Sequence, residues 1–83
     1  MNTPRFFAGL DIGKQHDHSA LAVLELRTRK AGFIIEWDLR VRGLTRFPLG
    51  TSYRDLIDAV EREIRTPAFG IDTPLVVDAT GVG

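Results

Sequence analysis

Phe6-Phe7-Ala8-Gly9-Leu10-Asp11-Ile12 is a short apolar run with an acid near its end, held between Pro4 and Gly13. It is too short for a helix and reads as a buried strand. Far along the chain, Pro74-Leu75-Val76-Val77-Asp78-Ala79 repeats the same grammar: an apolar β run closing on an acid, followed by Thr80-Gly81-Val82-Gly83. The fold depends on how these two runs are joined, because strands related by a long crossover lie parallel and bring their carboxyl-terminal ends to one edge of a sheet.

The residues between them supply that connection. Gly13-Lys14-Gln15-His16-Asp17-His18 is polar and turn-like, and Ala20 to Leu26, rich in Leu and Val with Glu25 as its sole charge, reads as a second strand in a hairpin with the first. Thr28-Arg29-Lys30-Ala31-Gly32 reads as a polar turn. Phe33 to Val41 then alternates apolar residues with Glu36, Asp38 and Arg40, the pattern of a third strand with one face buried and one wet. Pro48 and Gly50 mark an irregular crossover from Gly43 to Gly50.

Ser52, three residues before Asp55, has the form of a capping box, and Tyr53, Leu56, Ile57, Val60 and Ile64 recur at spacings of three and four. This predicts a helix over 53–65, stopped by Pro67 and Gly70. Its polar face carries Asp58/Arg62 and Glu61/Arg65 at the supportive i,i+4 spacing and reads as solvated surface. The order is β-β-β-α-β, an α/β fold in which the first three strands are antiparallel and the fourth lies parallel to the first.

Composition bounds what such a unit does. A chain of 83 residues, 43 % hydrophobic, forms one small domain or part of one. At this size about 60–65 % of the unfolded surface is buried, so the core is thin. With no cysteine there is no disulfide, thiolate zinc site or cysteine nucleophile, and any chemistry uses oxygen or nitrogen groups. The 11 basic residues cancel the 11 acidic ones, which removes the long-range positive field of a dedicated nucleic-acid binder. All the basic residues except Lys14 and Lys30 are Arg, and Arg40, Arg42 and Arg46 fall close together, either as a phosphate-contacting group or as a solvated strand edge and loop. The apolar runs fall well short of the roughly 18 residues that cross a bilayer, and Met1-Asn2-Thr3-Pro4-Arg5 holds no apolar signal segment. The expectation is a cytoplasmic protein with no membrane partner.

Asp11 and Asp78 are the informative pair. An ionised carboxylate is costly within an apolar strand, and two brought to one sheet edge repel each other unless a hard cation such as Mg²⁺ or Mn²⁺ sits between them. The competing reading makes each a turn cap, before Gly13 and Gly81 respectively. His16, Asp17 and His18 look like a metal cluster only in sequence, since neighbours on a turn diverge. Asp17 reads as a turn residue with an auxiliary or water-mediated role as the alternative. Gly13-Lys14 lacks the spaced glycines and following hydroxyl of a phosphate loop. Thr80-Gly81-Val82-Gly83 reads either as a backbone nest for an anion or as a plain turn. Trp37 and Tyr53 read as packing residues rather than base-stacking ones.

Four blocks, taken in order, resemble the nuclease domain of phage terminase large subunits: Phe7-Ala8-Gly9-Leu10-Asp11-Ile12-Gly13, Asp17-His18-Ser19-Ala20-Leu21-Ala22-Val23, Phe47-Pro48-Leu49-Gly50-Thr51-Ser52-Tyr53, and Val76-Val77-Asp78-Ala79-Thr80-Gly81-Val82-Gly83. The last is the most specific. The resemblance covers nearly the whole chain and implies a ribonuclease H-like fold, with hydrolysis of double-stranded DNA during genome packaging at a two-metal site holding Mg²⁺ or Mn²⁺. It matches Asp11 and Asp78 to the first-strand and fourth-strand metal ligands and catalytic carboxylates. It further implies the bacterial host cytoplasm as location, and other terminase or portal proteins as partners. The family places a further carboxylate downstream and an ATPase motor upstream. Positions 1–83 are therefore read as one partial domain, the amino-terminal part of a nuclease domain, incomplete for catalysis alone.

Other classes compete with this reading. An actin-like nucleotide-binding module shares the sheet order and an early Asp-x-Gly turn, although its second phosphate loop lies further along the chain. A non-catalytic assembly domain suits the short length. A transposase or resolvase domain of the same fold shares the early Asp but matches the closing block less well. The open edge of the fourth strand is expected to favour self-association.

Overall fold

A computed structural model describes residues 4–14, 16–66 and 73–80. The elements run β1 (Arg5–Asp11), β2 (Ala20–Ala31), β3 (Ile34–Arg46), α1 (Tyr53–Ile64) and β4 (Leu75–Asp78). The four strands form one sheet in the order β3-β2-β1-β4. β1 and β2 are antiparallel, as are β2 and β3, whereas β4 runs parallel to β1. The expected α/β order and strand directions therefore hold among the described residues. The parallel pairing is fixed at both ends, where Ala8 N–H donates to the Pro74 carbonyl (2.8 Å) and Ile12 N–H to the Asp78 carbonyl (2.9 Å).

The core lies on one face of this sheet. Ala8 and Leu10 of β1 alternate inward with Leu21 and Val23 of β2, and Leu56 and Val60 of α1 close over them with Phe47. Phe6, Ile12, Ala59 and Ile64 pack around this nucleus. The helix begins where the sequence places it, since Ser52 Oγ accepts the Asp55 N–H at 3.1 Å and satisfies one orphan donor of the first turn. At the other end Arg65 Nη1 meets Glu61 Oε1 at 3.0 Å. Tyr53 and Ile57, grouped with the apolar stripe by spacing, are instead 54 % and 57 % exposed.

The second and third strands depart most from expectation. Thr28-Arg29-Lys30 is not a turn: β2 continues to Ala31, and the reversal is the two-residue loop Gly32-Phe33, flanked by the pair Ala31↔Ile34. Gly32 has φ 64° with Phe33 following at negative φ, the arrangement in which glycine takes the first central position of a hairpin turn. Charge pairing explains why the polar residues stay in the ladder. Arg29 bonds Glu36 directly across the strands, Arg40 Nε bonds Asp38 Oδ2 at 2.9 Å, and Arg27 Nε bonds Glu25 Oε2 at 2.9 Å.

Gly43 likewise does not end β3. The strand absorbs an extra residue by a bulge opposite Val23/Leu24 and runs on through Leu44, Thr45 and Arg46, so the crossover starts only at Phe47. Phe47 N–H donates to the Ser19 carbonyl at 2.9 Å and anchors that start.

The alternation read in β3 is real, but neither face of Ile34–Arg42 is buried. Ile35, Trp37, Leu39 and Val41 share the face opposite α1, while Glu36, Asp38 and Arg40 share the helix side. The helix covers only the part of the sheet next to β1 and the root of the hairpin. Beyond Leu26, the last β2 residue paired with β1, the hairpin projects as a two-stranded arm. Among the described residues no helix is long and apolar enough to cross a membrane.

Candidate metal centre

β1 and β4 end together. Asp11 is the register partner of Asp78, and partners in parallel strands project from the same face, with backbones about 4.8 Å apart. That face is the one away from the helix, because Leu10 beside Asp11 and Val77 beside Asp78 occupy the opposite phase of the alternation. Both carboxylates are exposed, which relieves the desolvation that an apolar strand would impose.

The ground around the pair is low. Gly9, Ala20 and Ala22 are its neighbours on the same face, and a Cβ added to Gly9 meets nothing within 4 Å. With Leu44 and Val76 they line a shallow hollow that reaches both aspartates. Sequence reading gave these small residues no role. The available signal was their alternation, which becomes legible only once the β1–β2 register aligns Gly9 with Ala22 and Asp11 with Ala20.

Asp78 is tied to the turn that follows it. Thr80 N–H donates to Asp78 Oδ1 at 2.9 Å. Hydrogen bonds from the Thr80 side chain and backbone hold the Asp78 carboxyl below its ordinary value of 3.8. The turn-cap and ligand readings of Asp78 are therefore compatible, since the cap favours the anionic form that binds a cation. Gly81, Val82 and Gly83, and with them most of the expected anion nest, lie outside the described residues.

The β1–β2 turn is closed by hydrogen bonds from its backbone amides. Gly13 N–H donates to Ser19 Oγ at 3.0 Å, and Asp17 N–H donates to the Lys14 carbonyl at 2.8 Å. A Cβ at Gly13 would come within 2.4 Å of the Asp17 carbonyl oxygen, so only glycine fits this return past the end of β1. Asp17 thus serves as a turn residue through its backbone, and its side chain is exposed. His18 Nδ1 lies 2.7 Å from the Phe47 carbonyl, which can only accept, so His18 carries a proton there and ties the turn to the crossover. His16 is exposed. Among the described residues no group of three or more His, Cys, Asp or Glu side chains converges as a cation cage.

The three clustered arginines separate. Arg46 pairs with Ala20, which pairs with Asp11, so Asp78, Asp11, Ala20 and Arg46 form one row across the sheet. Two strand spacings, about 10 Å, separate the backbones of Arg46 and Asp11. Arg46 is exposed and forms no ion pair among the described residues. Arg40 and Arg42 face the helix side. Arg40 bonds Asp38, and Arg42 Nε stands 3.1 Å from Oε1 of the buried Glu25. That oxygen accepts no aligned hydrogen bond, so the Arg42 contact is one of charge rather than of directed bonding.

No protein-family model matches this chain, and no curated protein or solved structure matches it significantly.

Proposed function

We propose that the chain is part of a ribonuclease H-like, metal-dependent DNA endonuclease domain of the phage terminase large-subunit kind, which hydrolyses phosphodiesters of double-stranded DNA during packaging. The observation that carries this reading is the register of Asp11 and Asp78 on parallel strands, at the carboxyl edge where open α/β sheets collect ligands. Two adjacent exposed carboxylates are a hard, anionic oxygen donor set of the sort that Mg²⁺ or Mn²⁺ takes. They fit part of such a site, and a further carboxylate would complete it. When bound there, the cation would supply Lewis-acid charge at a phosphate.

The chain's own residues do the rest. Asp11 and Asp78 would hold the ion as catalytic ligands, and Thr80 favours the charged form of Asp78. Gly9, Ala20 and Ala22 leave room for a sugar-phosphate backbone, and Arg46 offers its fork to a phosphate along the same row. Arg40 and Arg42 contact DNA only where it reaches the helix side of the arm. Other terminase or portal proteins are the partners that fit this role.

Calorimetric titration with Mn²⁺ tests the site. The wild-type chain is expected to bind Mn²⁺, with affinity falling about ten-fold or more in Asp11→Asn and in Asp78→Asn. Equal binding by wild type and Asp11→Asn removes Asp11 from the site and overturns the reading. Retention of ATP by the purified chain favours the actin-like alternative.

A further inference from the structure

β3 is an edge strand of unusual composition. Along Glu36-Trp37-Asp38-Leu39-Arg40-Val41-Arg42 the helix-side positions read acid, acid, base, base, and the positions between them are all apolar. The charges of the stretch read the same in reverse once the signs are exchanged. The two-residue loop Gly32-Phe33 makes Ala31↔Ile34 a hydrogen-bonded pair, so Glu36, Asp38 and Arg40 direct their backbone groups to β2. The backbone N–H and C=O groups of Trp37, Leu39 and Val41 therefore point out from the edge.

We propose that β3 pairs antiparallel with β3 of a second copy of this chain, about a two-fold axis at Leu39. That register sets Asp38 opposite Arg40 of the second copy and Glu36 opposite its Arg42, and symmetry repeats both contacts. Trp37 meets Val41 and Leu39 meets Leu39 on the other face, where these side chains are now 69 %, 65 % and 62 % exposed in the order Trp37, Val41, Leu39. Each neighbouring register carries a like-charged pair that this one lacks. Centring on Asp38 places that acid against itself, and centring on Arg40 does the same with a base; like charges directly opposite are destabilising. Edge charges usually deter strand addition, but here their order favours a second copy and the one register in which every facing charge is opposite. The Arg40–Asp38 bond along β3 and the Arg29–Glu36 bond across from β2 already hold the acids in place, so pairing extends existing ion pairs. β4, four residues long, offers a shorter edge. This inference stands independently of the metal site.

Sedimentation equilibrium and native mass spectrometry on the 83-residue chain test it. The wild type is expected to form a dimer. Asp38→Arg and Arg40→Asp each place like charges opposite at two symmetric points, and each is expected to weaken the dimer about ten-fold or more. An equimolar mixture of the two restores opposite charges and is expected to yield a dimer with one copy of each, separable by mass. The double variant carrying both changes keeps every pair attractive and is expected to dimerise like wild type, which separates a pairing effect from a folding defect. A wild type that stays monomeric overturns the proposal. So does a dimer indifferent to both single variants, which would form through β4 or the apolar face, and so does a mixture that fails to recombine.

Discussion

The two faces of the sheet carry similar side chains and have different fates. On the helix side Ala8, Leu10, Leu21 and Val23 are buried beneath Leu56 and Val60. On the other side Phe7, Leu39, Val41, Leu44 and Val76 are of the same chemical kind and stand exposed, Leu44 at 75 % and Val76 at 72 %. Apolar character therefore decides neither core nor surface here. Coverage does: a helix of twelve residues, Tyr53–Ile64, reaches across only one side of one end of the sheet. The candidate chemistry sits on the uncovered side, where Asp11 and Asp78 avoid the desolvation that burial would bring.

The largest test of this contrast is a pair of truncations followed by urea denaturation. Leu56→Ala removes a side chain that is 1 % exposed and is expected to cost about 2–5 kcal/mol, whereas Leu44→Ala is expected to cost no more than about 0.5 kcal/mol. Comparable losses at both positions would mean that the second face is covered in solution. A smaller effect concerns the cover itself. Ser52→Ala removes the acceptor of the Asp55 N–H and is expected to lower stability by about 1 kcal/mol, and no change in denaturation midpoint would show that the cap contributes nothing to holding α1 on the sheet.

The smallest effect belongs to the open face. Because Thr80 holds the Asp78 carboxyl low, the stabilisation from that bond is fully present above the ordinary 3.8 and is lost as pH falls through the folded value. An NMR titration is expected to place the Asp78 midpoint below that of a free aspartate, and to move it upward in Thr80→Val, which keeps the backbone donor and loses the hydroxyl. An unmoved midpoint would leave the backbone bond as the sole cause.

Much of this was legible in the residues. The Ser52/Asp55 spacing located the helix start, and two apolar runs ending in acids located β1 and β4 and the meeting of Asp11 with Asp78. The misreadings have physical causes. Thr28-Arg29-Lys30 has turn-like polarity, yet in the sheet Arg29 is matched across the ladder by Glu36. Gly43 looks like the start of the crossover, but it pairs with Val23 beside a bulge, and the strand runs on past it. Arg40, Arg42 and Arg46 look like one cluster because their even spacing would put them on one face of a regular strand, and that same bulge breaks the alternation and turns Arg46 to the other face. The fate of the apolar residues of β3 was illegible for another reason: alternation reports that a face is apolar and is silent about what, if anything, lies on it.

Trp37 lends the arm an optical use. It is the chain's single tryptophan, placed on the bare side of the outermost strand and more than two thirds exposed. Its indole fluorescence therefore comes from one known place, remote from Leu56 and Val60. Loss of the helix packing leaves the surroundings of that fluorophore nearly as wet as before, whereas anything settling on β3 dries them. The colour of the emitted light is an intrinsic, label-free gauge of occupancy at that rim, largely uncoupled from the melting of the interior.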